Sequence, residues 1–360
     1  MIYVGVFCVS TFFYWVSNKT ENQWKRSFFW SISVMIPVLL AALRGINVGT
    51  DIKTYVLPSF NLAKSVNSLL DFIKINFYVT DILFNVLVYA SAKIFHSLQF
   101  LLGSIQLIIS IPVYLSIDKM LKKDQRCIAL ITYYFVFYCM GLNLMRQTIA
   151  VVIGMLALIF FTQSKKKLCI ICFLLAMGFH KSAIFILILI LVYWINKKFY
   201  KKWLPYLCAC SIVVVILFYQ QIMIMVIKSL PQFFGSYLNY MSMKQNNWPM
   251  ADFTLYLCSM LIGVFLLKKQ DYFQHFLGLM SICAIAGIII SKSMTVAGRI
   301  MLYCNYYIIF TMANAKKIIR NTKFNNIIIN LLIIILVMGY WFIQYIVLKN
   351  NEAYPYTFQG

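Results

Sequence analysis

Residues 126–163 read RCIALITYYFVFYCMGLNLMRQTIAVVIGMLALIFFTQ. The stretch is almost wholly apolar except where Asn143, Arg146 and Gln147 interrupt it. A bilayer core about 30 Å thick is crossed by a helix of ~20 apolar residues. The sequence here therefore holds two membrane spans, 126–143 and 147–163, folded back at NLMRQ. An ordinary turn between spans favours Gly, Pro, Asn or Ser and needs no arginine, so the junction is itself a candidate functional element.

The same pattern fills the chain. Of its 360 residues, 62% are hydrophobic and 11% charged, with a mean hydropathy of +0.83, against roughly 25% charged in a soluble domain. Further runs at 1–17, 28–43, 97–117, 168–179, 182–196, 203–220, 253–267, 273–290, 298–314 and 325–347 bring the expectation to about 12 transmembrane helices in an all-α polytopic fold. No polar stretch is long enough for a soluble domain, so residues 1–360 read as one transmembrane domain. The run 79–95 carries Asp81, Asn85 and Lys93, and reads as a span, an interfacial helix or a re-entrant segment. The apolar segment after Met1 lacks a basic region and a small-residue cleavage site, and reads as a retained first helix. The ten cysteines lie almost wholly inside apolar runs. Cys169 and Cys172, although spaced C-x-x-C, therefore read as small buried hydrophobes.

A net charge of +23 raises the question of nucleic acid, but the lysines sit in short clusters between apolar runs and form no basic domain. Anionic lipid headgroups are their natural neighbours. Twenty of the 32 basic residues fall in the connections near 18–27, 118–126, 164–167, 197–202, 268–272 and 315–324. Lys/Arg-rich loops are cytoplasmic. The longer connections 44–96 and 221–252 then face outward, with both termini, provided 79–95 does not fully cross. ATP and nucleotide-sugars are absent on that side, so substrates should be membrane-bound or already activated.

Ionisable groups in or beside spans are costly, and each is a functional candidate. Four constellations stand out, all at the outward end under this topology. RGINVGTD, 44–51, holds Arg44 at the membrane edge, two glycines, and Asp51, which can cap a following helix or act as a base. NLMRQ, 143–147, holds Arg146 and Gln147. GFHKS, 178–182, places His180, Lys181 and Ser182 in the middle of an apolar stretch. Arg299 lies just inside a late span, against the positive-inside trend. Asp51 and Asp252 are candidate partners for it. Three arginines and a histidine at one membrane face, outnumbering nearby carboxylates, point to an anion, and the planar guanidinium fork suits phosphate. No HExxH, DxD or paired-carboxylate motif calls for a metal.

Taken together, RG-x-x-VGTD, N-L-x-RQ-x-I-A, F-H-K-S and the late G-R-x-x-x-Y resemble the EpsG-like group of Wzy-type O-antigen and exopolysaccharide polymerases, from Arg44 to Tyr303 and in the same order. One departure is the segment after the first outer loop, where the family often carries a glutamate and this chain has Asp81. The resemblance implies a GT-C-like, inverting glycosyltransferase in the bacterial inner membrane, acting at the periplasmic face without metal or other cofactor. It implies an undecaprenyl-pyrophosphate-linked glycan as donor, a second one as acceptor, and a chain-length regulator protein as a candidate partner. On this reading Arg44, Arg146 and Arg299 bind the donor pyrophosphate, and His180 or Asp51 deprotonates the acceptor hydroxyl. Gln147, Lys181 and Ser182 make secondary polar contacts. His180 is placed narrowly ahead, because an aspartate just beyond a glycine turn can equally be a helix cap.

Other classes remain open at this point. An O-antigen ligase shares the donor and the arginine logic. A lipid-linked oligosaccharide flippase is a non-enzymatic alternative, although such transporters usually show inverted repeats and midplane charges, and this sequence shows neither. A membrane acyltransferase would surround its histidine with different polar neighbours.

Overall fold

The structure is a computed structural model that describes residues 2–77, 79–199, 221, 250–267, 271–291, 295–318 and 322–358. Among the described residues it is helical with no β-strand. Five helices among the described residues are long and apolar enough to cross a membrane: Gln23–Ala42, Leu98–Met120, Met145–Thr162, Tyr272–Ser291 and Phe324–Val347. The chain forms two compact units, one of Met1–Ile186 with Ile333–Gly360, the other of Leu187–Leu332.

In the first unit, α1 (Ile2–Lys19) and α2 (Gln23–Ala42) form a tight antiparallel hairpin. The Asn22 side chain caps α2 by accepting from the Lys25 N–H at 3.1 Å. α1 buries Tyr3, Phe7, Ser10, Tyr14 and Ser17, a single helical stripe, and exposes Phe12 and Trp15 on the other side. Pro37 lies inside α2 and has no N–H for the carbonyl of Ser33. That carbonyl instead accepts from the Ser10 hydroxyl at 2.7 Å and the Tyr114 hydroxyl at 3.1 Å. Two helices are thereby joined to α2 by the bond that proline removed.

Residues 44–96, expected as a long connection, are mostly helical. A π-helical turn Ile52–Val56 leads into α3 (Leu57–Ser65), followed by α4 (Leu69–Asn76) and α5 (Ile82–Lys93). A buried network of Ser59, Asn76, Thr80 and Asn85 ties them together. At 12 residues, α5 is about 18 Å long, well short of the ~30 Å core. It is followed after a short connection by α6 (Leu98–Met120).

The chain then runs through α7 (Lys123–Tyr133), a π-helical segment Tyr134–Tyr138, the single turn α8 (Cys139–Gly141), α9 (Met145–Thr162) and α10 (Lys166–Phe179). Between Thr148 and Thr162 α9 is apolar all round, and it lies at the centre with 83% of its residues buried. α10 packs antiparallel against it and buries Cys169 and Cys172, both free thiols. Within lipid, such contacts hold by close packing and interhelical hydrogen bonds, since lipid tails are as apolar as leucine. A short 3-10 turn, Lys181–Ile184, joins α10 to α11 (Phe185–Lys198).

The second unit contains α12 (Met250–Leu266), α13 (Tyr272–Ser291), α14 (Thr295–Asn305), α15 (Ile308–Ala313) and the first part of α16 (Lys323–Trp341), whose remainder belongs to the first unit. α12 and α13 cross closely, with hydroxyl contacts at 3.3 Å from Ser281 to Ser259 and to Thr311 of α15. The span expected at 298–314 is divided at Tyr306 and Tyr307, two consecutive buried aromatics where the chain tightens to i→i+3 bonds, Ile309 N–H to Tyr306 and Phe310 N–H to Tyr307. The span expected at 203–220 and nearly all of the loop 221–252 lie outside the described residues.

The first unit has two chemically distinct ends. At one, the Arg126 guanidinium pairs with Asp118 at 2.9 Å and donates to Asn18 Oδ1, also at 2.9 Å. The Asp118 carboxylate also accepts from Tyr14 and from the Trp30 indole. The lysines at 19, 119, 122, 123 and 165–167 gather at this end. Arg44, Asp51, Asn143, Arg146 and His180 lie at the opposite one. Arg126→Ala strips the part-buried Asp118 of its cation, a loss of about 1–3 kcal/mol. It should lower the thermal midpoint of the detergent-solubilised chain by several degrees, read by tryptophan fluorescence. An unchanged midpoint contradicts the clamp.

Candidate functional site

RGINVGTD leaves α2 and is held from behind by the C-terminal segment. The Gly45 N–H donates to the Thr357 carbonyl at 2.7 Å, the Gly49 N–H to that of Glu352 at 3.2 Å, and Arg44 bridges Phe358 backbone to backbone. The Tyr3 and Tyr356 hydroxyls close the seam on the Ala353 and Leu40 carbonyls. Burial pushes the Tyr356 phenol up to about 12, so it stays a neutral donor. Each glycine has its own reason. Gly49 sits at φ +97°, with the Leu142 carbonyl oxygen 2.7 Å from where a Cβ would stand. Gly45 approaches Thr357, whose Oγ1 would lie 2.6 Å from an added Cβ.

Three of the four sequence constellations meet here. Asn143 accepts from the Asp51 N–H at 3.0 Å and donates to Asn351 of the C-terminal segment at 3.1 Å. Arg146, one residue into α9, pairs with Asp81 at 3.2 Å and lies over the ring of Tyr55, 4.5 Å from its centroid. The Tyr55 hydroxyl donates to Asp51 Oδ2 at 2.8 Å. The Lys181 N–H reaches the Asp81 carboxyl from the 3-10 turn after α10. Burial pushes that carboxyl above its ordinary range, while Arg146 and Lys181 oppose the shift. The side chains of Arg146 and Asp81 remain 22% and 18% exposed, so the pair is reachable from the surface.

The caps fall differently from the sequence reading. Asp51 stands at the N-terminal boundary of the π turn, but its side chain makes no capping bond. The residue that caps is His180: its Nδ1 accepts from the Ser182 N–H at 3.1 Å and contacts the Ser182 hydroxyl at 2.7 Å. With Nδ1 an acceptor, a neutral His180 carries its proton on Nε2 and presents a donor there. Ser182 and Gln147 are buried. Arg44 is 1% exposed, among Tyr3, Tyr55, Tyr138 and Tyr356. Its Nη2 donates to the Met145 sulfur at 3.5 Å, and its Nε has no hydrogen-bond partner among the described residues. Arg299 belongs to the second unit, on α14, and is exposed.

Two members of the site escaped the sequence reading as site residues. Asp81 was visible as a charge in an ambiguous segment and as a departure from the family's glutamate, and nothing local announces a partner 65 positions away. Tyr55 is one of 24 tyrosines, without a polar break to mark it. Among the described residues no group of three or more His, Cys, Asp or Glu is placed to hold a metal ion.

The fold and this cluster define the class: a polytopic α-helical membrane protein whose ionisable side chains gather at the end of the helical unit opposite its lysine-rich loops. The chain belongs to the EpsG family, whose sequence model matches residues 27–358. Membership points to polysaccharide polymerisation in general. No curated protein and no solved structure matches the chain.

The geometry makes a sharp contrast between glycines. Gly49→Ala meets both a strained φ and a backbone oxygen, and should cost about 1–3 kcal/mol. Gly339→Ala, whose added Cβ meets nothing within 4 Å, should leave the thermal midpoint unchanged or slightly higher. Equal effects of the two substitutions would contradict the packing described for the loop.

Proposed function

We propose that the protein polymerises undecaprenyl-pyrophosphate-linked repeat units into O-antigen or a related surface polysaccharide, by inverting, metal-independent glycosyl transfer at the periplasmic face of the inner membrane, on a GT-C-like scaffold. One observation carries this reading: loops far apart in sequence bring Asp51, Arg146, Asp81 and Lys181 to one end of the first unit, opposite its lysine-rich loops. The positive-inside trend puts the lysine-rich end in the cytoplasm, so the cluster faces the side where lipid-linked, pre-activated donors are displayed.

In this mechanism the acceptor hydroxyl attacks the anomeric carbon of the donor glycan. A new glycosidic C–O bond forms, the bond to the pyrophosphate breaks, and undecaprenyl pyrophosphate leaves with the electron pair. Arg146 stabilises the charge that builds on the leaving group. Asp81 occupies one edge of its guanidinium, and the fork offers five N–H donors in all. Arg44 is the further cation assigned to the pyrophosphate. For Arg44 this requires the C-terminal segment to give way, since the side chain is covered. The acceptor proton passes to Asp51. Asp51 takes precedence over His180 because its carboxylate does not cap, whereas the Nδ1 lone pair of His180 does. His180, through Nε2–H, is then a donor to the anion, with Lys181, Ser182 and Gln147 as the surrounding polar contacts.

Deleting the gene and complementing with variants tests the reading. The wild-type gene should restore a ladder of surface polysaccharide on a gel, and Arg146→Ala should leave core plus a single repeat unit. Asp51→Asn should lower the polymerisation rate by about 10²–10⁴-fold, the usual contribution of a general base. Loss of every repeat band on deletion would instead indicate a flippase or ligase, and an intact ladder would refute the assignment.

A further inference from the structure

Tyr55 has no part in the mechanism above, yet it touches both of that mechanism's principal side chains. It lies in the π-helical turn Ile52–Val56 and is 8% exposed. Such turns are rare and recur at functional sites. Its hydroxyl donates to Asp51 Oδ2 at 2.8 Å, and its ring face lies under the Arg146 guanidinium, 4.5 Å from centroid to Cζ. Phe84 meets the same ring edge-on at 5.9 Å, which fixes its plane. Burial, reinforced by the charge of Asp51, holds the phenol well above its ordinary range, so it remains a donor at any physiological pH.

We infer that Tyr55 is a positioning residue for the transfer step: its hydroxyl sets the rotation of the Asp51 carboxylate, and its ring sets the plane of the Arg146 guanidinium. One rigid side chain thus holds the proton acceptor and the phosphate-binding cation at a fixed separation. The inference rests on the proposed roles of Asp51 and Arg146. Its chemical logic is that the two groups must act in the same step, the carboxylate on the acceptor's incoming hydroxyl and the guanidinium on the donor's departing pyrophosphate. Misplacing a reacting group by about 1 Å can cost ~10²-fold in rate. Each group arrives on a separate segment, Asp51 from a loop and Arg146 from α9, so a shared contact is what keeps them in register.

The two contacts separate by substitution. Tyr55→Phe removes the hydroxyl and keeps the ring under Arg146, whereas Tyr55→Leu removes both. The test uses the full chain in proteoliposomes, with the repeat unit on its undecaprenyl pyrophosphate carrier extracted from a strain lacking this gene. Tyr55→Phe should lower kcat about 10-fold with donor KM unchanged, and Tyr55→Leu should also raise donor KM several-fold. A purely structural role would lower the folded yield or thermal midpoint while the surviving protein kept wild-type kcat and KM, and that result overturns the inference. Equal kcat for Tyr55→Phe and wild type overturns it as well. A double-variant cycle distinguishes this from failure of the underlying reading. If Tyr55 acts through Asp51, adding Tyr55→Phe to Asp51→Asn slows the enzyme no further, and an additive loss contradicts that route. Full turnover by Asp51→Asn alone would instead remove Asp51 as the base and leave only the ring's effect on donor KM to judge.

Discussion

The Arg146 guanidinium is the constraint around which the first unit is arranged. It stands at the start of α9, the most enclosed of the five spanning helices, where an unpaired cation would cost several kcal/mol. Its surroundings meet that cost from three directions: the Asp81 carboxylate at 3.2 Å, the Tyr55 ring at 4.5 Å and, more distantly, Phe84 at 6.0 Å. All three come from residues 44–96, so the short helices α3, α4 and α5 are best understood as a frame that delivers these groups to the end of α9. Their buried Ser59, Asn76, Thr80 and Asn85 network makes that frame rigid without requiring a further span.

The C-terminal segment is the second dependency. Lys349, Asn351 and Glu352 all adopt left-handed φ of 50–62°, which costs on the order of 1 kcal/mol each for residues with a Cβ. The compensation is a run of hydrogen bonds from Gly45, Gly49, Tyr3, Tyr356 and Asn143. A buried arginine below, Arg44, has no carboxylate partner among the described residues, and its Nε finds no hydrogen bond among them. Strained backbone over an unsatisfied cation is what the proposed binding of the donor pyrophosphate by Arg44 would account for.

Much of this was legible in the sequence because a bilayer imposes a severe rule. Backbone groups in hydrocarbon must be satisfied within the segment, so apolar runs become helices: the ends of α1, α2, α6, α9 and α10 lie within a few residues of the expected runs. Arg146 was legible for the same reason, as a charge with no business between two spans. What did not show was pairing. Tyr55, Asp51, Arg146 and Asp81 form a chain of contacts reaching 95 positions along the sequence, and spacing carries no trace of it. His180 was placed ahead of Asp51 because an aspartate beyond a glycine turn can cap a helix, and only the geometry shows that His180 caps and Asp51 does not. The helical content of 52–76 was hidden by short elements of 8–9 residues, too polar in places to read as spans and too apolar to read as loop.

The proposed account stands most directly on whether this chain alone builds polymer from lipid-linked repeats. The measurement is to reconstitute the wild-type protein in liposomes with the repeat unit on undecaprenyl pyrophosphate, chelator present and nucleotide absent, and to follow products by mass spectrometry. The account predicts successive multiples of the repeat, with one undecaprenyl pyrophosphate released for each glycosidic bond formed. Elongation that begins only when a divalent cation or a nucleotide is added, or no elongation by well-folded protein, would contradict it.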